Sequence, residues 1–269
     1  IGFVGQPPRG NIFSSLLKYN SPDMSPRRDL ARSWTISEDE LTYTFNLAEN
    51  VLWHDGEPFT SADVKYTVEE LIIPFYPFGN AYFGALDEIT TPDDHTVVFK
   101  LSRPFGPFMS VFEFAILPKH LYEGTDPVEN EYNFAPVGTG PFVFEEWIRG
   151  DHITLVRNEN YFKEGRPFLD RVVMRFIEDP SARVRALEGG DIDYLCGYVP
   201  FADYPALQNN PDLEFTFDGN ERRASVANNI LFNLRHPILS NLLVRQAIAH
   251  AVDKEFIVEK TALGIGNVA

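Results

Sequence analysis

The sequence predicts a mixed α/β (α+β) fold built around two cores, and three observations carry that prediction. Apolar residues alternate strictly over 41–47 and again at Val97, Phe99 and Leu101, the period of half-buried strands. Apolar residues at helical spacing follow capping residues at Thr60, Asp179, Ser240 and Asp253. The chain has 269 residues, 44% of them hydrophobic and 14% aromatic, enough apolar side chain for one large domain or two ordinary ones.

Taken in order, Leu41, Tyr43, Phe45 and Leu47 share one side of the first strand, with hydroxyls and an amide on the other. His54-Asp55-Gly56 reads as a turn, because Asp-Gly supplies the positive φ a tight reversal needs. Thr60 and Asp63 form a capping box: each reaches the other's backbone amide. The helix it opens puts Val64, Thr67, Val68 and Leu71 on one face and is predicted to end before Pro74. An aromatic loop with two prolines follows over 74–83, and a short helix begins at 118–121.

Gly138-Thr139-Gly140-Pro141 is a tight turn entering a strand at Phe142, and Ile153 to Val156 continues as another. Residues 172–177 are nearly all apolar, as in a strand covered on both faces. Asp179-Pro180 starts a helix that carries Val184 and Leu187 inward and stops at Gly189-Gly190. Residues 192–195 then read as a strand that completes a β-α-β unit, and 230–234 as a further strand. Ser240 is predicted to cap a helix burying Leu243, Val244, Ala247, Ile248 and Ala251. Asp253 caps the last helix, which Gly264 ends. The predicted boundary between the two cores lies near Phe134-Ala135-Pro136.

Composition excludes several functions. The formal net charge is −16, which disfavours nucleic acid and an anionic membrane surface, since both call for a basic face. No apolar run is long enough to span a bilayer. The one cysteine, Cys196, permits no intrachain disulfide and no multi-cysteine metal site, and it reads as a small buried hydrophobe. The chain begins at Ile1 with no basic or apolar leader, so the expectation is a removed targeting segment or a start inside a longer protein.

No catalytic constellation is present. There is no Gly-x-Ser-x-Gly elbow, no phosphate-cradling Gly-rich loop and no His-Glu-x-x-His, and the six histidines have no pair at helical ligand spacing. The expectation is no enzyme activity, no metal and no cofactor, although the many carboxylates leave a glycosidase-type acid/base pair open. The Gly138-Thr139-Gly140 turn reads either as amides aimed at a ligand or as a sharp turn where the chain packs closely. The 74–83 aromatics read either as a platform for a peptide or sugar or as a satellite of the core.

Several segments together resemble one family. Ala31-Arg32-Ser33-Trp34-Thr35-Ile36-Ser37 followed by Leu41-Thr42-Tyr43-Thr44-Phe45 resembles a stretch of the family 5 bacterial extracellular solute-binding proteins, the dipeptide, oligopeptide and nickel receptors of ABC importers. Trp53-His54-Asp55-Gly56-Glu57-Pro58-Phe59-Thr60-Ser61-Ala62-Asp63-Val64 is similar to another signature of that family, and Val137-Gly138-Thr139-Gly140-Pro141-Phe142 to its Gly-Thr-Gly-Pro turn. Gly189-Gly190-Asp191-Ile192-Asp193 and Val244-Arg245-Gln246-Ala247-Ile248 with Ala251-Val252-Asp253-Lys254 complete the set in family order.

The resemblance implies a periplasmic-binding-protein-like lobe with an inserted α+β subdomain. Residues 1–14 plus 136–269 would form the first lobe, 15–135 the inserted subdomain, and the second lobe would lie beyond this sequence. It implies a periplasmic or extracellular receptor, a monomer with its targeting peptide removed, that passes a short peptide or similar small solute to a membrane ABC permease. Oligosaccharide or metal-chelate cargo, a glycoside-acting enzyme and a purely structural fragment are the alternatives. By resemblance Asn233 makes a polar ligand contact, Phe232, Tyr82 and Tyr198 form apolar or stacking walls, and Gly138 and Thr139 form a nearby rim. The isolated chain is expected to bind weakly, with half the cleft absent.

Overall fold

The structure, a computed structural model, describes residues 9–20, 23–195, 199–216 and 230–264. It divides into two compact units, Ile1–Asn20 with Met24–Phe176 and Ser21–Asp23 with Ile177–Ala269.

The first unit holds all the strands among the described residues. β1 (Leu17–Tyr19) pairs antiparallel with β2 (Pro26–Arg28). β3 (Ala31–Ile36), β4 (Thr42–Leu47), β5 (Leu86–Asp93) and β6 (Thr96–Leu101) form a four-stranded antiparallel sheet in the order β3-β4-β6-β5. β7 (Phe142–Ile148), β8 (His152–Arg157) and β9 (Arg171–Arg175) form a three-stranded meander. The predicted alternation holds: Tyr43, Phe45 and Leu47 on β4 and Val97, Phe99 and Leu101 on β6 are buried. Tyr43 sits opposite Phe99, so one inward face serves both strands.

Two apolar cores fill this unit. One packs Leu16, Leu30, Phe45, Trp53, Val64, Phe99, Phe108 and Phe112. Its rings meet at tilted or edge-to-face angles, with Phe45–Phe112 at 4.6 Å and Phe108–Phe112 at 5.0 Å. The other joins Ile12 and Phe13 to Phe142, Ile153 and Leu155, and takes Leu71, Leu117 and Tyr122 from the intervening chain. The chain thus passes from one core to the other between Phe13 and Leu16.

The capping box at Thr60 forms, with Asp63 Oδ2 accepting from the Thr60 amide at 2.8 Å. Asp63 does more than cap: its Oδ1 accepts from the Lys119 amide at 2.9 Å, which ties the Ser61–Tyr66 helix to the Lys119–Tyr122 helix. Burial raises its carboxyl pKa above the usual range, against the lowering effect of these amides. The helix does not stop before Pro74. It widens into a π turn at Thr67–Ile72 and continues through Ile73–Phe75. The Ile73 amide bonds to the Val68 carbonyl, five residues back, and the wider turn makes room for the proline ring. The predicted aromatic loop is also partly helical, at Gly79–Phe83.

β9 is an edge strand and is not covered on both faces: Val172 and Met174 are half-buried on one side, Val173 on the other is 49% exposed, and Phe176, just past the strand, is 43% exposed. An apolar run alone does not distinguish a doubly covered strand from an edge.

The second unit is helical among its described residues, with helices Pro180–Glu188, Tyr204–Gln208, Leu242–Ala251 and Lys254–Phe256 and a π turn at Ile257–Thr261. Val184, Val199 and Leu207 form a small core. Asp179 caps its helix as predicted, accepting from the Ala182 amide at 2.7 Å, and Gly190 follows the helix end with φ +74°. Four predictions fail here. Residues 192–195 and 230–234 are not strands, because a strand exists only by pairing and no ladder partner stands beside them among the described residues. The 242–251 helix is capped by Asn241, whose side chain accepts from the Leu243 amide at 2.9 Å, rather than by Ser240. The predicted burial of its inner face also fails: Leu243, Ala247 and Ala251 are exposed and only Val244 and Ile248 are half-buried.

Candidate functional site

The Gly138 turn is a junction that three distant segments build. The Gly140 amide donates to the Ile12 carbonyl at 2.8 Å, and Asn158 Nδ2 donates to the Gly140 carbonyl at 2.9 Å. Ser14 Oγ donates to the Thr139 carbonyl at 3.3 Å. From the other side comes His54, out of the predicted Asp-Gly turn. Its amide donates to the Gly138 carbonyl at 2.9 Å, and its Nδ1 accepts from the Gly138 amide at 3.2 Å. Its Nε2 lies 3.0 Å from the Gly140 carbonyl.

These partners fix the tautomer. A carbonyl only accepts, so Nε2 carries the proton; Nδ1 accepts, so the ring is neutral. Burial lowers the His54 pKa, opposed by the Gly140 carbonyl and the Asp55 charge. Glycine is required at the turn by close approach: a Cβ on Gly138 would stand 1.9 Å from the Ile12 carbonyl oxygen, and one on Gly140 2.5 Å from the Asn11 carbonyl oxygen. Gly138 and Thr139 are both buried, and the two glycine amides are engaged inside the unit. Of the two sequence readings of this turn, close packing is the one this geometry fits. Thr139 Oγ1 is buried with no hydrogen-bond partner among the described residues.

Beside this junction lies an ionic knot that the sequence did not signal. The Asp29 side chain is fully buried and accepts from the Ser15 amide at 3.0 Å. It pairs with Lys163 and, at 3.6 Å, with Lys18. Burial together with the Asp29 charge raises the Tyr161 pKa well above the phenol range. Near β1, burial and then the Glu113 charge push the Tyr19 hydroxyl up to about 12, and that hydroxyl donates to the Met109 carbonyl.

Tyr82 is 39% exposed on the Gly79–Phe83 helix and belongs to a surface cluster with Tyr76 and Phe78. In the second unit Phe232 is half-buried and Asn233 exposed, adjacent in a segment outside any helix or strand. Asn233 is a turn residue: its Oδ1 accepts from the Arg235 amide at 3.1 Å and its carbonyl from the His236 amide at 3.0 Å. Tyr198 and Cys196 lie outside the described residues. Gly138, Thr139 and Tyr82 therefore belong to the first unit, and Phe232 and Asn233 to the second.

Among the described residues no group of three or more His, Cys, Asp or Glu side chains is arranged to hold a metal ion. No helix among them is long and apolar enough to cross a membrane.

Comparison with known proteins adds three findings. The family described as bacterial extracellular solute-binding proteins, family 5 Middle, matches residues 25–269. The oligopeptide-binding protein AppA of Bacillus subtilis is 34% identical over 268 residues, covering 96% of this chain and 48% of AppA. Among solved structures, Bacillus subtilis AppA in complex with a nonapeptide aligns with a TM-score of 0.81 at 30% identity, over 97% of this chain and 52% of that one. NikZ from Campylobacter jejuni in complex with Ni(L-His) aligns with a TM-score of 0.79 at 29% identity, over 97% and 52%. The chain spans about half the length of the curated relatives it matches.

Proposed function

Because the chain belongs to the bacterial extracellular solute-binding proteins of family 5, we propose that the protein carrying it captures a short peptide and delivers it to a membrane ABC permease. The observation that carries this reading is the alignment with AppA, a peptide-bound structure, over 97% of the chain. In this reading the protein works at the periplasmic or outer face of the cell membrane as a monomer, and it releases its cargo chemically unchanged. Residues 1–14 plus 136–269 serve as the first lobe and 15–135 as the inserted subdomain. A change of core between Phe13 and Leu16 supports a seam near residue 14, with Leu71, Leu117 and Tyr122 of the inserted segment packing across it against Ile12 and Phe13.

Ligand contacts fall in this proposal to Asn233 as a polar group and to Phe232, Tyr82 and Tyr198 as apolar walls. Gly138 and Thr139, proposed as the nearby rim, are buried with their hydrogen bonds running inward, so their part in this proposal is to hold the turn's shape rather than to touch ligand.

A second reading is favoured by the alignment with NikZ in complex with Ni(L-His): the cargo is a metal chelate. Thermal-shift titration of the protein carrying this chain separates the two. Stabilisation by di- to nonapeptides, at about 3 kcal/mol for ligand in hundredfold excess over Kd, supports peptide cargo. Stabilisation by nickel–histidine alone transfers the proposal to chelates, and no shift with either overturns both.

A further inference from the structure

Two consecutive residues of the turn after Trp53 each contact a different distant segment, and each contact contains a histidine. His54 holds the 138–140 turn: its Nδ1 accepts from the Gly138 amide at 3.2 Å and its Nε2 lies 3.0 Å from the Gly140 carbonyl. Asp55 holds the Lys119–Tyr122 helix, with its Oδ2 2.8 Å from Nε2 of His120.

The turn that carries both contacts is stiff. The Trp53 amide donates to the Glu57 carbonyl at 2.8 Å, the Gly56 amide donates to the Trp53 carbonyl at 2.9 Å, and Leu52 bridges to Pro58. The Glu57 amide donates to Asp55 Oδ1 at 3.3 Å, which orients the carboxylate that meets His120. Trp53 is buried, and its ring lies edge-on to that of His120 with 6.2 Å between centroids.

The two histidines answer a proton in opposite senses. A carboxylate only accepts, so His120 donates through Nε2, and a second proton at Nδ1 makes that bond charge-assisted and about twice as strong. Protonated His120 faces the Asp55 carboxylate and lies within reach of the Asp63 charge; on its own helix Lys119 is paired with Glu123 at 3.4 Å. Protonated His54 instead sets a donor against the Gly138 amide, with the Asp55 charge as its compensation.

We propose that this turn is a proton-operated clasp: acid releases its hold on the Gly138 turn through His54 and tightens its hold on the Lys119–Tyr122 helix through Asp55 and His120. The His120 and Asp55 side chains are 32% and 31% exposed, so water screens their attraction. The His54 contact loses a hydrogen bond outright, so release is the larger effect. The clasp goes beyond the transport reading and involves neither cargo nor cleft, so either can fail without the other.

Hydrogen exchange of the native chain reads the release. If His54 titrates near 6.5 once the turn opens, protection of the Gly138 amide falls by up to about tenfold between about pH 7.5 and pH 5.5. The Leu101 amide, held by the Leu41 carbonyl at 2.7 Å, is the control and should change less than about twofold. His54→Gln should abolish the loss at Gly138. A double-mutant cycle of Asp55→Asn and His120→Ala in urea unfolding reads the tightening. Asparagine keeps the acceptor for the Glu57 amide. The coupling, as a ratio of folding constants, should be about twofold larger at the lower pH. Gly138 protection that does not fall, a fall of equal size at Leu101 or in His54→Gln, or a coupling that does not grow in acid overturns the clasp. Should His54→Gln not fold, the Leu101 control and the cycle still decide.

Discussion

His54 and Gly138 hold each other twice: the His54 amide donates to the Gly138 carbonyl at 2.9 Å, and the Gly138 amide donates back to Nδ1 of the His54 ring at 3.2 Å. The second bond exists only while Nδ1 is unprotonated, because a protonated Nδ1 presents a donor to a donor. Burial lowers the His54 pKa below its ordinary value near 6.5, against the nearby Asp55 charge. The unfolded chain therefore takes up this proton at higher pH than the folded one. The resulting stability is complete above the unfolded pKa and is lost as pH falls through the lowered folded value. Urea unfolding between about pH 7 and pH 5 should show stability falling for the native chain and falling less for His54→Gln. Parallel pH profiles for the two proteins would remove His54 as the cause.

The same contact makes Gly138 intolerant of any side chain. A Cβ at 1.9 Å from a backbone oxygen cannot be relieved by a rotamer change, so the turn and the Ile12 segment must separate. Gly138→Ala should cost about 3 kcal/mol or more, at the upper end of overpacking effects. Gly106→Ala is the control, since a Cβ there meets nothing within 4 Å, and it should stay within about 0.5 kcal/mol of the native chain. Denaturant midpoints of the two variants decide the matter; similar midpoints would mean the junction yields.

What the sequence made legible was local. Alternation identified β4 and β6 because one side of each strand is buried, and the pattern survives whichever strands become neighbours. The capping box at Thr60 and the N-cap at Asp179 were legible because the partners of each lie within one turn of helix. Residues 192–195 and 230–234 carry strand-like side chains, yet pairing is a property of two segments, and the second is not written beside the first. The His54 signature predicted a turn but not that the imidazole would reach residues 138 and 140. Of the site, the aromatic stretch was readable as a candidate platform; which of its rings face outward was not, since Phe83 is buried and Tyr82 is exposed.

Asp29 and Lys163, 134 residues apart, are the clearest case of a contact that composition cannot reveal, and they predict an asymmetry. The Asp29 side chain is fully buried, whereas that of Lys163 is 35% exposed. Removing the carboxylate strands the Ser15 amide and two ammonium groups; removing Lys163 leaves Asp29 still paired with Lys18 and bonded to Ser15. Asp29→Ala should therefore cost about 2 kcal/mol or more. Lys163→Met should cost at most about 1 kcal/mol, because a part-exposed ammonium recovers water. Equal losses in urea unfolding would show that the pair, rather than the buried carboxylate, sets the cost.

In the second unit Arg245 predicts a difference between two cations. One guanidinium nitrogen donates to both the Leu239 carbonyl at 2.8 Å and the Ser240 carbonyl at 2.9 Å, closing the turn that leads into the 242–251 helix. The planar guanidinium meets two adjacent carbonyls with little loss of freedom, whereas an ammonium on a flexible stem must be ordered to do so. The cap at Asn241 lies directly after these carbonyls, so loosening the turn also loosens the helix start. Arg245→Lys should then raise amide hydrogen exchange at Leu243 and Val244 about fivefold, equivalent to a local loss of roughly 1 kcal/mol, with the first unit unaffected. Exchange that rises equally across both units would indicate global destabilisation, and exchange that does not rise would show the turn closing without the guanidinium.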